Sequence, residues 1–213
     1  MTKAERIEKE KRMLQEMQQY ERELYAQGVR TIAGIDEVGR GPLAGPVVAA
    51  AVILPEDFDL LGVNDSKKLS EKRREELFVQ IKEKAVAWAI GMADSRVIDE
   101  INILQATKQA MAEAVGSLPV KPDHLLIDAV KLEGLDYPET PIVKGDQKSI
   151  SIAAASIIAK VKRDDMMITY ASKYPGYAFE KNKGYGTKEH YEGLREHGIT
   201  PIHRRSFLKS FTD

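Results

Sequence analysis

Apolar and polar positions alternate in blocks along this chain, and the blocks predict an α/β protein. Residues 31–36 (TIAGID) read as a short strand and residues 46–54 (PVVAAAVIL) as a second, strongly apolar one. The glycine-rich turn GRGPLAG (39–45) lies between them, so the pair is expected to form an antiparallel hairpin. Residues 66–85 are charged and helix-prone, with Leu69, Leu77, Val79 and Ile81 as the apolar members. A third strand is expected at 85–93 (AVAWAIGMA). Asp94 or Ser95 can cap a helix that runs to residue 118, with Ile101, Leu104, Met111 and Val115 on one face. Residues 124–130 (HLLIDAV) have the pattern of a buried strand, and 141–144 can add another short one. An Ala- and Ile-rich helix over 149–170 is stopped by Pro175-Gly176. The order β-β-β-α-β-α, with a helical insertion before the third strand, predicts a mixed sheet flanked by helices, part antiparallel and part parallel.

The two ends have a different character. In the leader, Met13, Met17, Tyr20 and Leu24 recur at spacings of three and four, a narrow apolar stripe for a helix packed on the domain or left as a mobile extension. From Tyr177 onward, six of the 14 aromatic residues and three of the four histidines (His190, His197, His203) are interleaved with lysines and arginines. Stacking rings among cations suit nucleic acid; ordinary aromatic anchors of a helical region would read the same way. The expected organisation is a leader over 1–29, a catalytic domain over 30–175 and an aromatic-basic, substrate-binding extension over 176–213.

Composition narrows the chemistry. The chain has 213 residues, 43% hydrophobic and 31% charged, a balance that supports one globular domain with a real core. Net charge is -1, so any affinity for a polyanion must rest on a local patch. With no cysteine there is no disulfide, thiolate nucleophile or zinc finger. No apolar run approaches the ~20 residues of a membrane span, and the charged N-terminus is no secretory signal, so a cytoplasmic location is expected.

Carboxylates then stand out, though only some of them. There are five adjacent acidic pairs, so a doublet alone means little. Asp36-Glu37 differs because it sits where an apolar strand runs into a glycine turn. Asp128 interrupts an apolar strand where a core residue is wanted. Asp164, one helical turn after Lys160, reads locally as half of a surface salt bridge. Carboxylates from separate elements, without a cysteine or a histidine pair, suit a hard divalent cation, Mg²⁺ or Mn²⁺, and phosphoryl chemistry. The GRGPLA turn fits a loose G-x-G-x-x-A pattern, but it leads into a strand rather than a helix, which excludes a dinucleotide fingerprint.

The segment DEVGRGPLAGP (36–46) resembles the opening motif of the ribonuclease HII family. DSKKLS (65–70), DEINILQA (99–106), LIDA (126–129), KGDQKSISIAAASIIAKVKRD (144–164), NKGYGTKEH (182–190) and HRRSF (203–207) resemble further motifs of that family in the same order. The resemblance implies an RNase H-like fold and endonucleolytic cleavage of RNA paired with or joined to DNA, on the 5′ side of a ribonucleotide, leaving 3′-hydroxyl and 5′-phosphate ends. It implies a tetrad, Asp36, Glu37, Asp128 and Asp164, holding two Mg²⁺ or Mn²⁺ ions in the substrate complex, and so assigns Asp164 a role its local sequence does not suggest. It matches Gly39, Arg40 and Gly41 to an element that reads the ribose through backbone groups, and Tyr185 to the tyrosine at the RNA–DNA junction. Lys67, Lys68, Lys144 and Lys148 fall in segments that look like phosphate contacts. The implied partners are RNA–DNA hybrid and ribonucleotide-containing duplex DNA, met by a monomer without a membrane. The end FLKSF (207–211) faintly resembles a sliding-clamp peptide, but it lacks the glutamine, and a hydrophobic end packed on the domain is preferred. A junction resolvase would share the carboxylates without needing the Gly-Arg-Gly turn and Tyr185, and a binding module that had lost catalysis would not keep all four acids.

Overall fold

The computed structural model describes residues 2–132 and 134–208. Helices α1 (Lys3–Met17) and α2 (Gln19–Ala26) lead into strands β1 (Ile32–Val38) and β2 (Val47–Ile53). A 3-10 turn (Ser66–Lys68), α3 (Glu71–Lys84), β3 (Ala87–Ala93) and α4 (Ser95–Gly116) follow. Then come β4 (His124–Asp128), β5 (Glu139–Ile142), α5 (Ile150–Lys173), the single turn α6 (Phe179–Asn182) and α7 (Lys188–His197). The sheet order is β3-β2-β1-β4-β5. β1, β2 and β3 form an antiparallel meander, whereas β4 runs parallel to β1 and β5 parallel to β4. The predicted hairpin and the mixed sheet are both present.

Strand alternation sends the two faces of the sheet to different helices. Ala33, Ile35, Val47 and Ala49 pack with Ala106, Ala110 and Met111 of α4. Ala50 and Val52 pack with Ala153, Ala154 and Ile157 of α5, and Leu77 and Ile81 of α3 join them. The approach of α5 is close enough to need a glycine: a Cβ on Gly34 of β1 would stand 2.1 Å from the Ser151 carbonyl carbon. Among the described residues, no helix is long and apolar enough to cross a membrane.

The structure redraws two predicted helices. In 66–85, the Asp65 side chain accepts from Lys67 N–H and holds a 3-10 turn, Leu69 is extended, and Ser70 caps a new helix. Lys67 and Lys68 therefore sit on a turn rather than a helix, and Val79 points to solvent. In α4, Asn102 has φ 67 and its side chain accepts from the N–H groups of Leu104 and Gln105, which restarts the helix there. That break shifts the phase, so Leu104 is exposed and Ile98, Ala106, Ala110 and Ala114 replace it in the buried face.

The leader is docked. Met13, Leu14 and Met17 join the α5-side core. Glu21, 3% exposed, sends one carboxylate oxygen to Ser149 Oγ (2.6 Å) and Ser151 N–H (3.0 Å) at the start of α5. Burial raises its pKa, and its other oxygen has no hydrogen-bond partner among the described residues. At the other end, Phe207 packs on the α4-side core and Leu208 is buried, while 209–211 lie outside the described residues. Glu21→Ala strands a buried hydroxyl and a helix N–H, so it should cost about 1–3 kcal/mol in urea unfolding. Glu21→Gln, which keeps an acceptor oxygen, should cost less, and equal midpoints for the two variants would remove the helix-capping role.

Candidate active site

Three acids meet at the carboxyl ends of the two central strands. β1 and β4 run side by side with Ile35 opposite Ile127, so the next residues, Asp36 near the end of β1 and Asp128 at the end of β4, lie on neighbouring strands. Asp36, Glu37 and Asp128 each present a carboxylate oxygen within 4.8 Å of the others. Asp36 is 5% exposed, and its own Oδ1 accepts from Glu37 N–H at 2.7 Å. Burial first, then the Glu37 charge, hold its carboxyl well above the usual carboxylate range, with a Ser156 hydroxyl hydrogen bond acting in the opposite sense. Burial also raises Glu37, against the Arg40 guanidinium, which lies 3.4 Å from its Oε1. Glu37 Oε2 is buried without a hydrogen-bond partner among the described residues. Asp128 Oδ1 accepts from Gly145 N–H at 2.6 Å. Three crowded acids and one orphaned oxygen are the donor set of a hard divalent cation, and their mutual repulsion is what such an ion relieves.

Asp164 is not in that group. It is 7% exposed on α5, where Lys160 Nζ donates to its Oδ1 at 2.7 Å and Arg74 stands 4.0 Å from Oδ2. The local reading of an ion pair with Lys160 is what is seen, but as a buried pair rather than a surface one.

The Gly-Arg-Gly turn leaves β1 beside these acids, and two buried arginines hold it. Arg163, 1% exposed, donates to the carbonyls of Pro46, Ala44 and Lys183 at 2.9–3.2 Å. Arg204, 0% exposed, donates to the carbonyls of Gly39, Arg40 and Gly45. Burial lowers both guanidinium pKa values, yet both stay cationic at neutral pH. Gly39 has φ +90, and a Cβ there would stand 2.1 Å from Arg163 Nε, so the turn needs glycine twice over. In the sequence, Arg204 reads only as one of the tail cations interleaved with aromatic rings, and Arg163 only as the neighbour of Asp164. Their setting, KRD after an apolar helix and HRRSF, gave no local sign of burial.

Tyr185 comes to the same place from the tail. Its ring edge is 3.5 Å from where a Gly41 Cβ would be, and its side is exposed. The adjacent Gly184 carbonyl accepts from Leu43 N–H at 2.8 Å, which stitches the two loops together. Glu37, Gly39, Arg40, Gly41, Lys67, Ile103 and Tyr185 line one groove of ≈ 510 Å³. Ile103 is there because of the Asn102 break and is absent from the sequence reading. Lys68, Lys144 and Lys148 are exposed; the last two flank the Gly145–Gln147 turn whose first N–H holds Asp128. His190 and His203 are buried and do not line the groove.

With the geometry in hand, the chain can be set beside known proteins. The sequence profile of one family, Ribonuclease HII, matches residues 33–210. A curated ribonuclease HII of Enterococcus faecalis is 62% identical over 200 residues, which is 94% of this chain and 78% of the relative. The crystal structure of ribonuclease H2 from Pyrococcus horikoshii superposes with a TM-score of 0.70 at 30% identity, covering 84% of this chain and 95% of that one. The ribonuclease HII of Archaeoglobus fulgidus, solved in complex with PCNA, gives 0.68 at 30% identity over 85% of this chain and 100% of that one. A strand-end carboxylate cluster, an arginine-braced Gly-Arg-Gly turn and a family match across nearly the whole domain lead to one conclusion: this chain belongs to the ribonuclease HII family, the metal-dependent endoribonucleases that cleave the RNA of RNA–DNA hybrids.

Proposed function

We propose that the chain also cleaves on the 5′ side of single ribonucleotides embedded in duplex DNA, leaving 3′-hydroxyl and 5′-phosphate ends. The observation that carries this reading is the shared groove, in which Glu37 of the acidic cluster, the Gly39–Arg40–Gly41 backbone and the Tyr185 ring line one wall-to-wall space. RNA and DNA differ at the ribose by the 2′-hydroxyl, which can donate and accept. The Gly-Arg-Gly backbone, free of Cβ at two of three positions, approaches that hydroxyl closely. Tyr185 packs on the next sugar, where a flat ring fits deoxyribose. Together they select an RNA-to-DNA step and hold its phosphate over the acids.

Asp36, Glu37 and Asp128 are the residues that would hold Mg²⁺ or Mn²⁺, and Asp164, here paired with Lys160, would be the fourth acid. When bound, a pair of such ions supplies Lewis acidity to phosphodiester hydrolysis. Lys67 faces the groove and, with Lys68, Lys144 and Lys148, provides the local cationic path that a chain of net charge -1 needs for a polyanion. Phe207 and Leu208 are packed in the domain, which favours an intramolecular role for these two residues over clamp docking.

Asp36→Asn and Asp128→Asn remove charge but keep shape. Each should lower Mg²⁺-dependent cleavage by about three orders of magnitude, the scale on which preorganised electrostatic groups act. Neither should melt below wild type, since repulsion is relieved, and the rise in melting temperature that Mg²⁺ is expected to give the wild type should be lost. Wild-type turnover by either variant on a gel would remove the assignment. Lys67→Ala with Lys68→Ala should weaken DNA and hybrid duplexes alike and reduce the slope of log K against log salt by ~1–2. An unchanged slope takes both lysines out of the interface. Tyr185→Ala should cut cleavage about ten-fold or more at an isolated ribonucleotide and less on a uniform hybrid, because positioning carries much of such a barrier. If the variant instead melts far below wild type and loses both substrates equally, Tyr185 is a structural anchor.

A further inference from the structure

Two of the tail histidines form a pair whose hydrogen bonds have a definite direction. His190 and His203 are 0% and 3% exposed, in a box walled by Tyr177 and Phe179. Their Nε2 atoms are 3.0 Å apart. At that distance one proton must lie between them, since two bare nitrogens repel and two N–H groups collide. The outer ends decide which ring carries it. The Thr200 backbone N–H points at His203 Nδ1 over 2.9 Å. A backbone amide can only donate, so His203 Nδ1 is bare and its proton is on Nε2. That proton is aimed at His190 Nε2, which must therefore be bare, and His190 carries its proton on Nδ1. His190 Nδ1 lies 2.9 Å from the Tyr185 carbonyl oxygen, which can only accept. All four ring nitrogens then have a partner of the right kind, and only when both rings are neutral. Burial favours the same state: it lowers the His190 pKa and, with the neighbouring His190, pulls His203 down to about 4.

We propose that His190 and His203 form a neutral tautomer relay running from Thr200 to the Tyr185 carbonyl, and that both are positioning residues for the Tyr185 ring. The second part rests on the junction-reading role proposed for Tyr185. That residue is 45% exposed, so the position from which its ring projects is set by its backbone. Tyr185 N–H donates to the Asn182 carbonyl, and the Tyr185 carbonyl accepts from Thr187 N–H and from His190. The far end of the relay is the 200–203 segment, and the next residue, Arg204, holds the carbonyls of Gly39 and Arg40. The relay thus ties Tyr185 to the same segment that fixes the Gly-Arg-Gly turn, so the two reading elements share one frame. Two phenyl rings would fill the box as well, but they would carry no donor to the Tyr185 carbonyl.

Long-range ¹H–¹⁵N spectra of the full chain at neutral pH read the protonation of each ring nitrogen. The expected pattern is Nε2–H on His203 and Nδ1–H on His190; an imidazolium, or Nε2–H on His190, overturns the relay. For the positioning role, His190→Ala and His190→Asn remove the same ring, but the asparagine amide restores an N–H near the former Nδ1. His190→Ala should lower the ratio of embedded-ribonucleotide to uniform-hybrid cleavage roughly ten-fold, the scale of one hydrogen bond. His190→Asn should keep the ratio near wild type, although both variants melt earlier by similar amounts. Equal loss in the two variants marks a packing role, and an unchanged ratio in His190→Ala marks no role; either overturns the proposal. Tyr185→Ala, assayed alongside, places the fault. If it too leaves the ratio unchanged, the reading of Tyr185 fails; if it alone lowers the ratio, the relay fails.

Discussion

Two buried guanidinium groups, with no carboxylate hydrogen-bonded to them among the described residues, hold the loops of the groove together. Taking a cation out of water costs several kcal/mol unless hydrogen bonds replace the water. Arg163 and Arg204 achieve this with six main-chain carbonyls, those of Gly39, Arg40, Ala44, Gly45, Pro46 and Lys183. Dependence runs both ways. The arginines need the carbonyls to stay buried, and the loop needs the arginines because a glycine-rich turn has little side-chain packing of its own. Arg163 also precedes Asp164 on α5, and Lys183 lies two residues before Tyr185, so one electrostatic arrangement fixes the turn relative to an acid and to the aromatic ring.

The acids follow an opposite logic. The arginines are charged and satisfied, whereas Asp36 and Glu37 are charged only at a cost, since burial first, and then a nearby carboxylate (Glu37 for Asp36, Asp128 for Glu37), oppose ionisation. Such a cluster is tolerated because the backbone beneath it is fixed: paired central strands on one side, and α5 pressed against Gly34 on the other. The site therefore stores an unmet demand for positive charge within rigid surroundings, and a cation can enter without the sheet having to move. Asp164, paired with Lys160, meets its own demand locally.

How much of this could be read from the chain depended on the range of the interaction. Hairpin and mixed sheet were legible because strand patterns and the turn are local signals. Asp128 was legible because a charge in an apolar run is anomalous wherever it occurs, and Asp36-Glu37 because a glycine turn follows them. The break at Asn102 and the 3-10 turn at Ser66 were not, since each depends on one side chain competing for main-chain donors inside an otherwise helical pattern. Arg163, Arg204, Glu21, His190 and His203 were the larger misses. Polar residues in polar stretches look solvated, and only contacts with segments distant in sequence bury them; Glu21, for instance, reaches Ser151 across 130 residues. Family resemblance supplied Tyr185 and Asp164, where local chemistry left alternatives open.

The separation between Arg204 and the turn it holds is 165 residues. A chain made from its N-terminus presents the Gly-Arg-Gly turn and the first two acids early, while the guanidinium that satisfies the turn's carbonyls is still to be synthesised. Contacts this distant in sequence are among the last a domain can form. The groove thus takes its form only when nearly all of the chain has emerged, and a nascent or C-terminally clipped molecule carries the acids without the arginine that fixes the turn beside them.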